Sequence, residues 1–247
     1  WYLRLVTRVG LKRAQQVVAV SQYTRDQILR YHGSHFENKL RVIYEGWEHR
    51  LFFANETCGY PKDIPFSKYI LYVGSSRGHK NWGRLIQAIQ RASHQLPPDW
   101  GFVFIGSTKM LSKKHLQMVQ QLNRQRPIIQ ITGWQEDCSL ASYYRHAQAL
   151  IFPSLSEGFG IPILEAYFYR IPLLLSNQAS LPEIAGDAAI YFDPYDVQDI
   201  SDSILHFTKQ SDHTSLIERQ TQRLARYSWK TTSQQLTKLL QSFCKPL

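Results

Sequence analysis

Short apolar runs and longer amphipathic stretches alternate along most of this 247-residue chain. Six runs read as buried strands: Tyr69 to Val73, Phe102 to Ile105, Ile128 to Thr132, Ala149 to Phe152, Pro172 to Ser176 and Ala189 to Phe192. Each is short, and most are bounded by Gly, Pro or polar residues. Helical stretches lie between most of them, including Trp82 to Ala92, Ser139 to Ala147 and Ile163 to Tyr169. Asp199 to Lys209, Ser215 to Tyr227 and a final segment from Trp229 to about Ser242 read as helices after the last strand. Strand-helix alternation at this spacing predicts an α/β fold: a Rossmann-like parallel sheet with helices on both faces. Two earlier strands, Val17 to Val20 and Arg41 to Tyr44, flank a helix that Ser21 is placed to cap. Residues 1–16 read as a helix with Arg4, Arg8 and Lys12 in one stripe. That stripe suits either a solvated face or a membrane-surface helix.

The densest chemistry lies in the crossing from Ser154 to Pro172, S-L-S-E-G-F-G-I-P-I-L-E-A-Y-F-Y-R-I-P. It joins the strand ending at Phe152 to a helix with Pro162 at its expected first position. Gly158 and Gly160 let the backbone approach a ligand closely or take a positive φ. The unpaired N–H groups of the helix start favour an anion such as phosphate. In an open parallel sheet, ligands lie beyond the carboxyl ends of strands, where this loop falls. Glu157 and Glu165 can accept hydroxyl hydrogen bonds of the kind a sugar or ribose offers. Phosphate and hydroxyls together point to a sugar nucleotide. A second turn, Gly74-Ser75-Ser76-Arg77-Gly78-His79-Lys80-Asn81, follows the first of the six strands and brings a basic cluster to a helix start, which also suits phosphate. Trp134, after the third strand, is either a base-stacking ring or a packed loop aromatic. Tyr143, Tyr144 and Ala147 read as core, and Glu183 as a helix-start residue favoured by the dipole.

Seven residues separate Glu157 from Glu165, and E-G-F-G-I-P-I-L-E-A followed by Pro172 resembles the donor-site signature of family 4 glycosyltransferases, retaining enzymes of the two-domain GT-B fold. Lys80, six residues past Gly74, fits the same pattern, as do Ser180-Leu181-Pro182-Glu183 and Gly186-Asp187-Ala188-Ala189. The resemblance implies that residues 1–45 are the remnant of an amino-terminal acceptor domain that is otherwise largely absent. Residues 46–68 would be a linker, 69–227 the donor-binding domain, and 228–247 a final helix crossing back. Glu157 would contact the donor sugar and Lys80 the diphosphate, these two being the catalytic candidates. Gly74, Ser75, Arg77, Trp134, Gly158, Phe159, Gly160 and Glu165 would complete the donor site, with Glu165 on the ribose. The implied partners are a nucleotide-sugar donor and a glycan or lipid-linked acceptor. Three positions depart from the family pattern: Glu45 replaces Asn, Ser75 replaces Arg with Arg77 nearby, and Arg170 replaces the Gly before Ile171-Pro172. A left-handed residue at that helix end costs a non-glycine side chain roughly 1 kcal/mol.

Composition narrows the rest. With 43% hydrophobic residues the chain can bury a core, and no apolar run reaches the ~18 residues of a membrane-spanning helix. A net charge of +10 favours polyanionic partners, namely phosphorylated small molecules or an anionic membrane surface. No helix-turn-helix or zinc-finger pattern is present, so nucleic acid is not expected as a partner. Cys58, Cys138 and Cys244 form no C-x-x-C pair, and no disulfide framework or zinc site is expected. With no D-x-D motif and no paired histidines, neither a metal nor another cofactor is expected. The amino terminus shows no clean signal peptide, so the expected location is cytoplasmic, with peripheral contact at the inner membrane face. The first residue is Trp1 rather than Met, so the chain reads as either a fragment or a processed form. Rival readings are a non-catalytic nucleotide-sugar binding module, a GT-B-fold epimerase or phosphorylase, and a polyanion-binding protein.

Overall fold

A computed structural model describes residues 2–48, 59–61, 64–109 and 111–243. Much of the expected linker, together with Cys58 and Cys244, lies outside them. The chain opens with α1 (Tyr2–Arg13), β1 (Val17–Ala19), α2 (Gln22–His32) and β2 (Leu40–Val42). It continues through β3 (Lys68–Val73), α3 (Trp82–Ala92), β4 (Trp100–Ile105), α4 (Lys113–Leu122), β5 (Ile129–Gly133), α5 (Asp137–His146) and β6 (Ala149–Phe152). The remaining elements are α6 (Ile161–Phe168), β7 (Leu173–Ser176), α7 (Leu181–Ala185), β8 (Ile190–Phe192), α8 (Val197–Lys209), α9 (Thr214–Leu224) and α10 (Trp229–Gln241).

All strand pairs are parallel. β1 and β2 form a two-stranded sheet, and the other six run in the order β5-β4-β3-β6-β7-β8. The chain therefore builds outward from β3 to one edge, returns to pair β6 with β3, and builds outward to the other edge. That reversal is a topological switch point, with Ile70 opposite Ala149 and Leu71 opposite Leu150.

Why the strands are apolar on both faces follows from the layers. Tyr69 and Leu71 of β3, with Leu150 and Phe152 of β6, enter a core shared with α5, α6 and α7. Ile70 and Tyr72, with Ala149 and Ile151, enter the opposite core, shared with α3, α4 and α8. Side chains alternate across a strand, so a sheet covered on both faces needs continuous apolar runs. The amphipathic helices supply the covers: α3 buries Trp82, Leu85, Ile86, Ile89 and Ala92 at helical spacing.

The amino-terminal segment and the last helix touch the larger sheet's helices through polar and aromatic contacts. Tyr44, Phe159 and Tyr227 pack as a ring cluster with centroids 5.7 to 6.3 Å apart. Trp47 stacks on Phe168 at 5.4 Å. α10 begins against the same stretch, with the Trp229 N–H donating to Glu48 and the Thr232 hydroxyl to the Tyr44 carbonyl. Among the described residues no helix is long and apolar enough to cross a membrane.

Two expectations are corrected. Cys138 is disulfide-bonded, so the expectation of no disulfide does not hold at this position. α6 begins at Ile161, with Pro162 second rather than first; either place suits proline, because the missing N–H is unpaired in a first turn. Arg170, by contrast, keeps the left-handed conformation that its position demands, at φ 55°. Its N–H donates to Tyr167 and the next N–H to Ala166, closing the end of α6 before β7. The geometry of the turn is thus kept at the expense of backbone strain. Arg170→Gly should raise the urea midpoint, by up to about 1 kcal/mol of stability, whereas Arg170→Ala should not, because alanine keeps the strain.

Candidate functional site

The site is built at the switch point, where the loops leaving β3 and β6 meet. After β3 the chain turns through Gly74 and Ser75, and residues Gly78–Lys80 form one 3-10 turn before α3. Asn81, between that turn and α3, is buried and left-handed at φ 61°, a conformation that asparagine tolerates better than most residues. Its amide donates to the carbonyls of Pro153 and Pro194, which ties the β3 exit to the exits of β6 and β8. The Leu155 N–H donates to the His79 carbonyl and adds a second tie. Lys80 therefore stands on a turn fixed to the β6 loop.

Lys80 and Glu157 meet directly, Nζ to Oε1 at 2.6 Å. Their side chains are 17% and 15% exposed, so the pair is shielded more than a surface ion pair and screened less by salt. Phe152 lies under the ammonium, 5.0 Å from ring centroid to Nζ. A cation and a carboxylate are thus fixed side by side at the carboxyl end of the sheet.

Beyond Glu157, the loop turns into α6 at Gly160, which takes φ 112°. A Cβ there would lie 3.0 Å from Ile163 and Leu181, so both conformation and space select glycine. Gly158 differs: it has no positive φ, and an added Cβ would make only ordinary contacts with Val20 and Thr24. Phe159 points its ring into the Tyr44–Tyr227 cluster and is buried, so only its backbone faces the site. No side chain caps α6. Within its first turn Pro162 has no N–H and the Ile163 N–H donates to the Gly160 carbonyl at 2.9 Å, so what this helix start presents is chiefly the positive end of its dipole.

Glu165 lies one turn into α6, and one of its carboxylate oxygens accepts a short hydrogen bond from the Tyr144 hydroxyl. Tyr144 is fully buried and stacks on Tyr169 at 5.2 Å. Burial first, and the Glu165 charge second, push its pKa well above the ordinary tyrosine range, so the hydroxyl stays a donor. Tyr144 is core, as expected, and its hydroxyl also orients the Glu165 carboxylate. Its sequence neighbours carried no signal for that, since a hydroxyl on a buried ring looks like any other aromatic in a pattern.

The remaining candidates lie farther out. Arg77 is exposed at the start of the 3-10 turn, and Ser75 is half-buried beside Gly74. Trp134 is 75% exposed at the end of β5, which excludes the packed-loop reading and leaves its ring face accessible. β5 stands three strands from β6, about 14 Å at the usual strand spacing. A ligand spanning both ends would have to be extended. Among the described residues, no group of three or more His, Cys, Asp or Glu side chains is placed to hold a metal.

Glu183 is the largest departure from expectation. It sits in the first turn of α7, but its carboxylate serves another helix: Oε1 accepts from the Gln22 N–H at 2.7 Å and Oε2 from the Tyr23 N–H at 2.9 Å. It caps α2, across 160 residues of sequence. A cavity of about 390 Å3 opens beside this contact, between α2 (Tyr23, Gln27, Tyr31) and the loop residues Ser156, Glu157 and Gly158.

A six-stranded parallel sheet with helices on both faces and a polar, anion-ready loop pair at its switch point defines a Rossmann-like domain of the GT-B type. Comparison with known proteins agrees. Residues 63–224 match the family profile of the glycosyl transferases group 1, and the chain belongs to that family. It is 34% identical over 142 residues to the O-antigen chain mannosyltransferase B of Escherichia coli, a match covering 58% of this chain and 37% of that protein. It is 28% identical over 242 residues to the serotype-specific mannosyltransferase WbdA of Escherichia coli, covering 94% of this chain and 30% of that protein. The chain thus spans about a third of the length of these curated relatives. Among solved structures, Anabaena Alr3699/HepE in complex with UDP and glucose superposes with a TM-score of 0.79 at 20% identity, over 98% of this chain and 67% of that one. A glycosyltransferase from Rickettsia africae superposes at 0.75 and 18% identity, over 91% of this chain and 62% of that one.

The Tyr144–Glu165 contact can be tested without any ligand. In a double-mutant cycle of Tyr144→Phe and Glu165→Gln, urea unfolding should show a coupling of at least about 1 kcal/mol, as expected for a hydrogen bond to a charged group. Additive losses would mean the contact contributes nothing.

Proposed function

We propose that this chain carries the donor site of a glycosyltransferase that moves a hexosyl group, mannosyl foremost, from a nucleotide sugar to a glycan or lipid-linked acceptor with retention of configuration. The observation that carries this reading is the shielded Lys80–Glu157 pair beside the uncapped start of α6. Mannosyl is favoured because the curated relatives are named mannosyltransferases.

In this reading Lys80, with the turn from Gly74 through Ser75 and Arg77, holds the diphosphate. Glu157 contacts the donor sugar, the backbone of Gly158, Phe159 and Gly160 faces sugar and diphosphate, Glu165 holds the ribose, and Trp134 stacks on the base. Departure of the nucleoside diphosphate places negative charge at Lys80 and at the positive end of α6, where fixed charges stabilise it without reorganising. The acceptor attacks from the face the diphosphate leaves. Neither a covalent nucleophile nor a metal is required, and no other cofactor enters the scheme. Residues 1–45 and 228–247 then belong to the acceptor side, and 69–227 to the donor side. α1 exposes Leu5, Val6 and Val9 beside Arg4, Arg8 and Lys12, which suits peripheral contact with an anionic membrane at its cytoplasmic face.

The Lys80–Glu157 pair sharpens the expected mutant behaviour. Glu157 competes with an incoming diphosphate for the same ammonium, so removing its charge should not weaken nucleotide binding. Glu157→Gln should therefore lower sugar transfer while calorimetric affinity for a nucleoside diphosphate is kept or raised. Glu165→Ala should weaken that affinity. Thermal shifts with GDP-mannose and UDP-glucose would rank the donors, since a ligand that binds the native state raises its stability. Wild-type transfer by both variants would remove the assignment.

A further inference from the structure

The loop that carries Glu157 is held by hydroxyls on three successive carbonyls. The Ser180 hydroxyl reaches the carbonyls of Glu157 and Phe159, both at 3.0 Å. The carbonyl between them, Gly158, faces the amino-terminal segment, where the hydroxyls of Ser21 and Thr24 reach it at 2.6 and 3.0 Å. Ser21 is the N-cap of α2 and also accepts from the Thr24 N–H, so the start of this helix is what grips the loop.

Glu183 is what holds the start of α2. Besides the N–H groups of Gln22 and Tyr23, its Oε1 accepts from the Tyr44 hydroxyl at 2.9 Å. Burial, then the bond to Glu183, push the Tyr44 pKa up to about 12, so this donor keeps its proton at neutral pH. A carboxylate accepting N–H bonds at a helix start is favoured by both hydrogen bonding and the dipole. Glu183 is itself anchored, three residues after Ser180 on α7, whose carbonyls at Glu183 and Ile184 accept from Arg223. The contacts close a ring: Ser180 to the loop, the loop to α2, α2 to Glu183, and Glu183 back along α7 to Ser180.

We propose that Glu183 is a positioning residue for sugar transfer: by seating the start of α2 on the Gly158 carbonyl, it fixes the backbone from which Glu157 projects. The inference rests on the reading of Glu157 as the donor-sugar contact. Glu183 makes no contact of its own with Lys80 or Glu157 among the described residues, so its effect passes through Ser21 and Thr24. Lys80 is reached by a separate route, through Asn81 and the Leu155 N–H, and should keep its grip on a diphosphate when Glu183 is lost.

The experiment compares Glu183→Ala, Glu183→Gln and the pair Ser21→Ala/Thr24→Val in the intact enzyme, reading kcat, donor KM, nucleoside diphosphate affinity and amide hydrogen exchange. Glu183→Ala should speed exchange at Gln22 and Tyr23 and lower kcat by about tenfold to a hundredfold, the range for misplacing a reacting group by up to an ångström. Donor KM and diphosphate affinity should change much less than kcat, since Lys80, which holds the diphosphate, is fixed by a separate route. Glu183→Gln, which keeps one carbonyl acceptor, should fall between. Adding Glu183→Ala to the Ser21/Thr24 variant should lower kcat little further, because both act through one contact. Fast exchange with unchanged kcat would overturn the proposal, as would kcat losses that add, or a parallel loss of diphosphate affinity. Glu157→Gln, run beside them, separates the two levels: if it transfers at the wild-type rate, the reading of Glu157 fails and the inference goes with it. If Glu157→Gln is impaired and Glu183→Ala is not, only the inference fails.

Discussion

The pairing of β3 with β6 is the constraint on which the site depends. Each strand alone ends in a polar turn of no particular consequence. Parallel pairing aligns their carboxyl ends, and because β4 and β5 build outward on one side and β7 and β8 on the other, no crossing connection covers the gap between them. Lys80 and Glu157, 77 residues apart, are brought to 2.6 Å by that register. Cores on both faces make slippage by one residue untenable, since it would move every apolar side chain of a strand to the other layer.

At the switch point the protein uses backbone geometry to hold charge. The Asn81 amide bonds two carbonyls at the exits of β6 and β8, and the hydroxyls of Ser180, Ser21 and Thr24 bond three more along the loop. Loop carbonyls away from regular structure need partners when shielded from water, and each bond made here also limits how far Glu157 and Lys80 can drift. The aromatic rings of Tyr44, Phe159 and Tyr227 fill the space beneath, so the loop is both tied and supported.

Strain and polarity are tolerated at the edges of this arrangement. Arg170 holds a left-handed turn that glycine would adopt more easily, and Asn81 does the same at the other loop. Both residues sit where a chain must reverse abruptly between a buried element and the next one. Bonds from the neighbouring backbone hold them there: the N–H groups of Arg170 and Ile171 at one end, the Asn81 side chain at the other.

The sequence by itself determined the elements and the main charged residues. A strand covered on both faces needs a continuous apolar run, so β3 through β8 were legible within a residue or two, and Trp82 to Ala92 is a helix as its spacing required. Glu157, Glu165 and Lys80 could be picked out because glycines and a helix start stand beside them. What only the tertiary structure decided is which polar groups meet. That Lys80 pairs with Glu157, that Tyr144 holds Glu165, and that Glu183 caps a helix 160 residues earlier could not be read from spacing. Hydrophobic burial leaves a periodic trace because it depends on the face of an element. A hydrogen bond between distant side chains depends on register and loop path, and leaves none.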